Sequence, residues 1–157
     1  MENLNEILIH AARKGNTDVI KELVAMNADV NTRDEKGYTP LIIACYNNQP
    51  EAAELLINLG ADVNAQDAGG NTALMGVAFK GYPEIAELLI KKGADLNLQH
   101  GNGGTALMFA AMFGRNQLVE LLINYGADRR ITDVRGLTAA DLAAQQGNMP
   151  AIEMLEA

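Results

Sequence analysis

The chain has 157 residues, 48% of them apolar, which suits one ordinary domain or a short array and argues against disorder. Twelve Lys and Arg against twenty Asp and Glu leave a net charge of −8, which disfavours nonspecific binding to nucleic acid or to an anionic membrane surface. Serine and tryptophan are absent and histidines number two, so a Ser-His-Asp site cannot be written with these residues.

The N-terminal segment, Met1 to Lys14, opens with acidic and amide residues and has no basic patch followed by an apolar run, so it does not read as a secretory signal. No stretch approaches the length of a membrane span. A single cysteine, Cys45, cannot form an intrachain disulfide and fits a reducing compartment, so a cytoplasmic protein is expected.

Beyond this segment the chain repeats. Thr39, Thr72, Thr105 and Thr138 stand a constant 33 residues apart, and Gly37, Gly70, Gly103 and Gly136 keep the same step two residues upstream. A period of roughly 20 to 50 residues marks units that cannot bury their own apolar faces and must stack. Thr39, Thr72 and Thr105 each precede a short helix as an N-cap hydroxyl, and Pro40 takes a first helical position that needs no N–H donor. These first helices end at Gly15, Asn48, Gly81, Gly114 and Gly147, where a left-handed residue explains both the glycines and the one asparagine. A second helix follows, with Pro50, Pro83 and Pro150 at its start and leucines and isoleucines at helical spacing. It stops at Asn27, Gly60, Gly93 and Gly126. Polar segments such as Asp67-Ala68-Gly69-Gly70 then form projecting turns or hairpins.

This unit strongly resembles the ankyrin repeat. The family pattern is matched by Asp34, Gly37, Thr39, Pro40, Leu41, Ala44, Leu55, Leu56, Gly60, Ala61 and Asp62, with similar sets in the next two copies. The resemblance implies an all-α solenoid of about five stacked helix-turn-helix units with projecting β-turn or hairpin loops. The units are residues 1–36, 37–69, 70–102, 103–135 and 136–157, in one domain whose first and last units act as caps. Met1 reads as a native start and the array as a complete protein. The family's histidine after Thr-Pro-Leu is replaced by Ile42, Met75, Met108 and Asp141. Met75 and Met108 are expected to fill space between units, and Asp141 to complete a capping arrangement with Thr138.

The residues able to do chemistry read as structural. Cys45 occupies a small apolar place on the packed side of its helix, with no cationic neighbour in sequence to activate it. His10 and His100, one packed and one solvated, form no metal-ligand cluster with that thiol. Residues 101–106 satisfy the loose G-x-G-x-x-G/A fingerprint, but without the strand and long helix that dinucleotide binding requires, so no cofactor is expected. Glu51, Glu54, Glu84, Glu87, Glu120 and Glu153 recur on the second helices as a solvated face. The chain is therefore expected not to be an enzyme.

The resemblance places a concave groove on the projecting turns and on two positions late in each first helix. Here these are Arg13 and Lys14, Tyr46 and Asn47, Phe79 and Lys80, Met112 and Phe113, then Gln145 and Gln146. A ladder of Tyr46, Phe79 and Met112, with Phe113 beside it, is expected to form a partner-binding ridge. Tyr38 belongs with it, and Lys36 and Arg135 join Arg13, Lys14 and Lys80 as surrounding cations. The competing reading is that these side chains merely cover the inner helices. The function expected is a monomeric, non-catalytic protein-interaction module. An inhibitor or immunity protein that occludes an enzyme or toxin is the alternative.

Overall fold

In the computed structural model, which describes residues 3–157, each helix is too short to be stable alone. Ten α-helices are present among these residues, and no strand. The inner row is α1 (Leu4–Lys14), α3 (Pro40–Tyr46), α5 (Ala73–Lys80), α7 (Ala106–Met112) and α9 (Ala139–Gln145). The outer row is α2 (Thr17–Ala25), α4 (Pro50–Asn58), α6 (Pro83–Lys91), α8 (Asn116–Asn124) and α10 (Met149–Glu156). Each inner helix packs on its own outer helix and on the inner helices before and after it, and the outer helices contact one another in the same sequence. The result is a two-layered linear stack.

Local chemistry sets the boundaries. The hydroxyls of Thr39, Thr72, Thr105 and Thr138 accept the backbone N–H three residues on, at 3.2 to 3.3 Å, which satisfies a donor the helix cannot. Asp141 returns the favour by accepting the Thr138 N–H at 3.0 Å, closing the expected capping box. Met75 does the same with its thioether, whose sulfur accepts the Thr72 N–H at 3.4 Å. Beyond the helices, Asn27 and Asn48 adopt φ of 71° and 55°, the left-handed conformation taken by glycine at the equivalent sites. Pro50 and Pro83 open α4 and α6, whereas Pro150 is the second residue of α10, behind Met149. Pro150 is thus one place out of register with the other two, and the local end is capped instead by Asn148, which accepts the Ala151 N–H.

The core is a continuous apolar seam between the two rows. Small residues let the inner helices approach, and Ala12, Cys45, Ala78 and Ala111 occupy one repeated, fully buried place. Met75 and Met108 are buried in the same seam, as their flexible side chains suit.

Polar bonds lock neighbouring units in register. The N–H groups of Asp62, Asp95 and Asp128 donate to the side-chain oxygens of Asn31, Asn64 and Asn97 in the preceding unit, at 2.7 to 2.9 Å, and within the first unit the Asp29 N–H donates to Asn5 at 2.8 Å. Asn31 and Asn64 also donate to the carbonyls of Gly60 and Gly93. The series ends at Arg130, which turns back to Asp128. Its neighbour Arg129 donates to the carbonyls of Met154, Leu155 and Ala157, satisfying the exposed end of α10.

Two outcomes follow from this dependence on neighbours. Asn64→Ala removes an acceptor and a donor at one unit boundary and is expected to lower stability by about 1 kcal/mol, measured by urea unfolding. Truncation after Arg135 removes α9 and α10, uncovers the apolar sides of α7 and α8, and is expected to aggregate in light scattering. A soluble truncation that melts cooperatively would contradict that outcome.

Candidate functional site

The groove has two walls, the projecting turns and the inner helices. In three turns one aspartate organises the backbone: Asp34 accepts the N–H groups of Lys36 and Tyr38, Asp67 those of Gly69 and Asn71, and Asp133 those of Arg135 and Leu137. The Leu137 N–H holds the Asp133 carboxyl below the usual carboxylate range, with Arg135 assisting against partial desolvation. His100 stands at the equivalent place in the remaining turn, where its Nδ1 accepts the Gly104 N–H at 2.9 Å. An imidazole nitrogen thus takes the acceptor place that a carboxylate oxygen fills in the other three turns.

Bonds between turns make them one wall. Ala68, Gly101 and Val134 N–H groups donate to the carbonyls of Lys36, Gly69 and Asn102 in the preceding turns. The side chains of Arg33, Gln66 and Gln99 each donate to a carbonyl in their own turn and to one in the next. Residues from both walls line three hollows. One of about 470 Å³ lies between α3, α5 and the second turn, bounded by Arg13, Tyr38, Tyr46, Asn47 and Phe79 among others. Another of about 580 Å³ adjoins it near α1 and includes Arg13, Lys36 and Tyr38. The third, about 440 Å³, includes His100, Phe109, Met112 and Arg135.

The rings form a connected chain across the units. Tyr46 and Phe79 lie parallel with centroids 6.4 Å apart, Phe79 meets Phe113 edge to face at 4.7 Å, and Phe113 stacks on Phe109 at 6.5 Å. His100 continues the chain, meeting Phe109 in a T-shaped arrangement at 5.1 Å. Tyr46 and Phe113 remain 42% and 43% exposed, so mutual packing leaves two of the rings accessible. Phe79 between them is half-buried. The Lys80 ammonium lies 4.8 Å from the Tyr46 ring centre, within cation–π range.

Other expected members occupy different places. Met112 is half-buried against the core and faces the hollow of His100 and Phe109, so Phe113 rather than Met112 continues the ring ladder. Asn47 is exposed, and its amide folds back to donate to the Ile43 carbonyl at 2.8 Å. Arg135 pairs with Asp133 at 3.0 Å, which offsets its charge in the groove. Lys14 and Gln145 are exposed at the ends of α1 and α9 and line none of these three hollows. Phe109 and His100 are the participants that sequence spacing missed, because Phe109 lies in the middle of α7 and His100 in a turn, away from the late-helix positions. The signal available was the position of His100, 33 residues after Asp67 and before Asp133.

The chemically reactive groups are placed as follows. Cys45 is fully buried, and desolvation pushes its thiol well above the ordinary range, which suppresses the nucleophilic thiolate. His10 is exposed and His100 half-buried, and no cluster of three or more His, Cys, Asp or Glu suited to a metal occurs among the described residues. In the glycine-rich stretch, the N–H groups of Gly101, Gly103 and Gly104 are already engaged with Gly69 and His100, so they do not form a free cradle for phosphate. Glu51, Glu54, Glu84, Glu120 and Glu153 are exposed on the outer helices, and half-buried Glu87 pairs with Lys91 at 3.0 Å. No helix among the described residues is long and apolar enough to cross a membrane. The Cys45 thiol is expected to stay unreacted with a disulfide reagent in native buffer and to react fully in denaturant, followed by absorbance.

Comparison with known proteins agrees with this architecture. The family described as "Ankyrin repeats (3 copies)" matches residues 2–67 and 74–156, and "Ankyrin repeats (many copies)" matches residues 50–90. Protein phosphatase 1 regulatory subunit 27 from Homo sapiens and its counterpart from Mus musculus are each 46% identical over 46 residues, 29% of this chain. The matched segment spans 30% of those relatives' own length. With family matches running through both halves of the stack, the chain belongs to the ankyrin-repeat family.

Proposed function

We propose that this chain is a non-catalytic protein-interaction module that holds a partner in the groove between its turns and inner helices, acting as a monomer in the cytoplasm. The observation that carries the reading is the ring chain: Tyr46 and Phe113 stay accessible on either side of Phe79 on the inner-helix wall, opposite turns that are bonded to one another. Exposed apolar rings in a preformed groove suit partner binding, since a preorganised surface loses little entropy on association. Arg13, Lys36 and Lys80 lie along the groove, with Lys14 next to Arg13 at the end of α1; Glu6 and Glu35 border the hollow near α1, while the other described glutamates lie on the outer helices, against a net charge of −8. The partner surface this favours is apolar with acidic neighbours. Tyr38, Asn47, Met112, Arg135 and Gln145 complete the proposed contact set. The lone buried thiol supports the choice of compartment.

A second reading makes the partner an enzyme that the module regulates or inhibits. It is favoured by the short match to a phosphatase regulatory subunit. Under that reading, stoichiometric addition of the chain alters the turnover of the captured enzyme.

Affinity capture from the native lysate, followed by titration of the captured protein, tests the main reading. The triple variant Tyr46→Ala, Phe79→Ala, Phe113→Ala is expected to weaken binding by about 100-fold or more while keeping its helical circular dichroism. Affinity unchanged in that folded variant would remove the groove from consideration.

A further inference from the structure

We propose that the hollow over Gly76 is a socket for one aromatic side chain of the partner, carried on a segment with a carboxylate beside it. This rests on the protein-binding reading above and specifies what the groove selects. Gly76 is an interior residue of α5, where glycine costs about 1 kcal/mol relative to alanine. The corresponding residues of the neighbouring inner helices are Ile43, Phe109 and Leu142, all large and apolar. Where those units project a side chain, this one opens a hollow of about 470 Å³, within the roughly 300–1,000 Å³ typical of sites that enclose a small ligand.

The lining specifies the occupant. Tyr38, Tyr46, Phe79 and Phe109 line the hollow with four rings, and Met75 and Ile42 add apolar lining. The amide and threonine groups that line it are already partnered: the Asn47 amide donates to Ile43, the Asn71 amide to Asp67, and the Thr72 hydroxyl accepts from the Met75 N–H. The Asp67 carboxylate is held by the N–H groups of Gly69 and Asn71. An apolar ring therefore fits better than a polar group. Two cations flank it without a carboxylate partner among the described residues, Arg13 at the edge and Lys80 beside Tyr46. They supply the complement for an adjacent carboxylate.

A Cβ at Gly76 would stand 3.3 Å from Tyr46 Cδ1, so alanine asks the ring to shift only a few tenths of an ångström. Larger side chains occupy the hollow itself. The test is an NMR titration of the full chain with N-acetyl-L-tryptophan, its neutral amide and N-acetylglycine. Saturable shifts centred on the amides of Gly76, Tyr46 and Phe79 are expected with the first, weaker ones with the amide, and none with N-acetylglycine. Gly76→Leu should abolish these shifts. Gly76→Ala, the milder change that keeps the fold should leucine not do so, should weaken binding by about threefold or more. Arg13→Gln with Lys80→Gln should remove the preference for the acid over the amide.

Scattered or non-saturating shifts, or titrations unchanged by either Gly76 variant, would overturn the socket. Peptides selected on the wild-type chain by display separate this outcome from the broader reading. Peptides enriched in an aromatic next to Asp or Glu, and lost on Gly76→Leu, support the socket. Peptides that bind Gly76→Leu as tightly as wild type but fail on the triple alanine variant leave the interaction module standing and reject the socket.

Discussion

Everything in this molecule depends on helices that cannot bury their apolar faces unless a neighbour covers them. Inner helices of 7 to 11 residues gain little from their own hydrogen bonds, so their order comes from packing against the units on either side. The repeated small residue at Ala12, Cys45, Ala78 and Ala111 permits that approach, and the bulk of Leu41, Leu74 and Leu107 fills the seam that results. Burial on this scale also determines the fate of the thiol, which is a packing element before it is a nucleophile.

Hydrophobic contact alone does not specify register, since apolar surfaces slide easily. The asparagine series from Asn31 to Asn97 and the side chains of Arg33, Gln66 and Gln99 supply directional bonds at the first three unit boundaries. Among the described residues no buried side-chain nitrogen or oxygen lacks a partner, so the polar groups drawn into the stack are satisfied. Function inherits this stiffness. One groove wall is held by bonds between its turns, and on the facing inner helices Tyr46 and Phe113 keep accessible faces.

The turns also differ from one another in a way that matters. Asp34, Asp67 and Asp133 each accept two backbone N–H groups, whereas His100 accepts one and packs T-shaped with Phe109. The third turn thereby exchanges a carboxylate for an aromatic extension of the ring chain. Gly76 is the second local departure, removing a side chain where neighbours carry one. These two substitutions distinguish this groove from a uniform array, and both lie beside the same row of rings.

Much of the fold was legible in the sequence because its determinants are local and recur every 33 residues. Threonine caps, left-handed glycines and asparagines, and the helical spacing of leucines act within a few residues of themselves, so a linear reading captures them. Pro150 shows the limit, since resemblance to Pro50 and Pro83 concealed a shift of one place. The candidate site was legible only in outline. Tyr46, Phe79 and Phe113 were found by their spacing, but the partner of Phe79 across the boundary is Phe113 rather than Met112, and Phe109 and His100 join them from elsewhere. By itself the sequence determined the unit, its caps and the two rows of helices. Only the tertiary structure decided which rings meet, which cations stay unpaired and where a hollow opens, because those depend on the rotation and separation of adjacent units, which local periodicity does not encode.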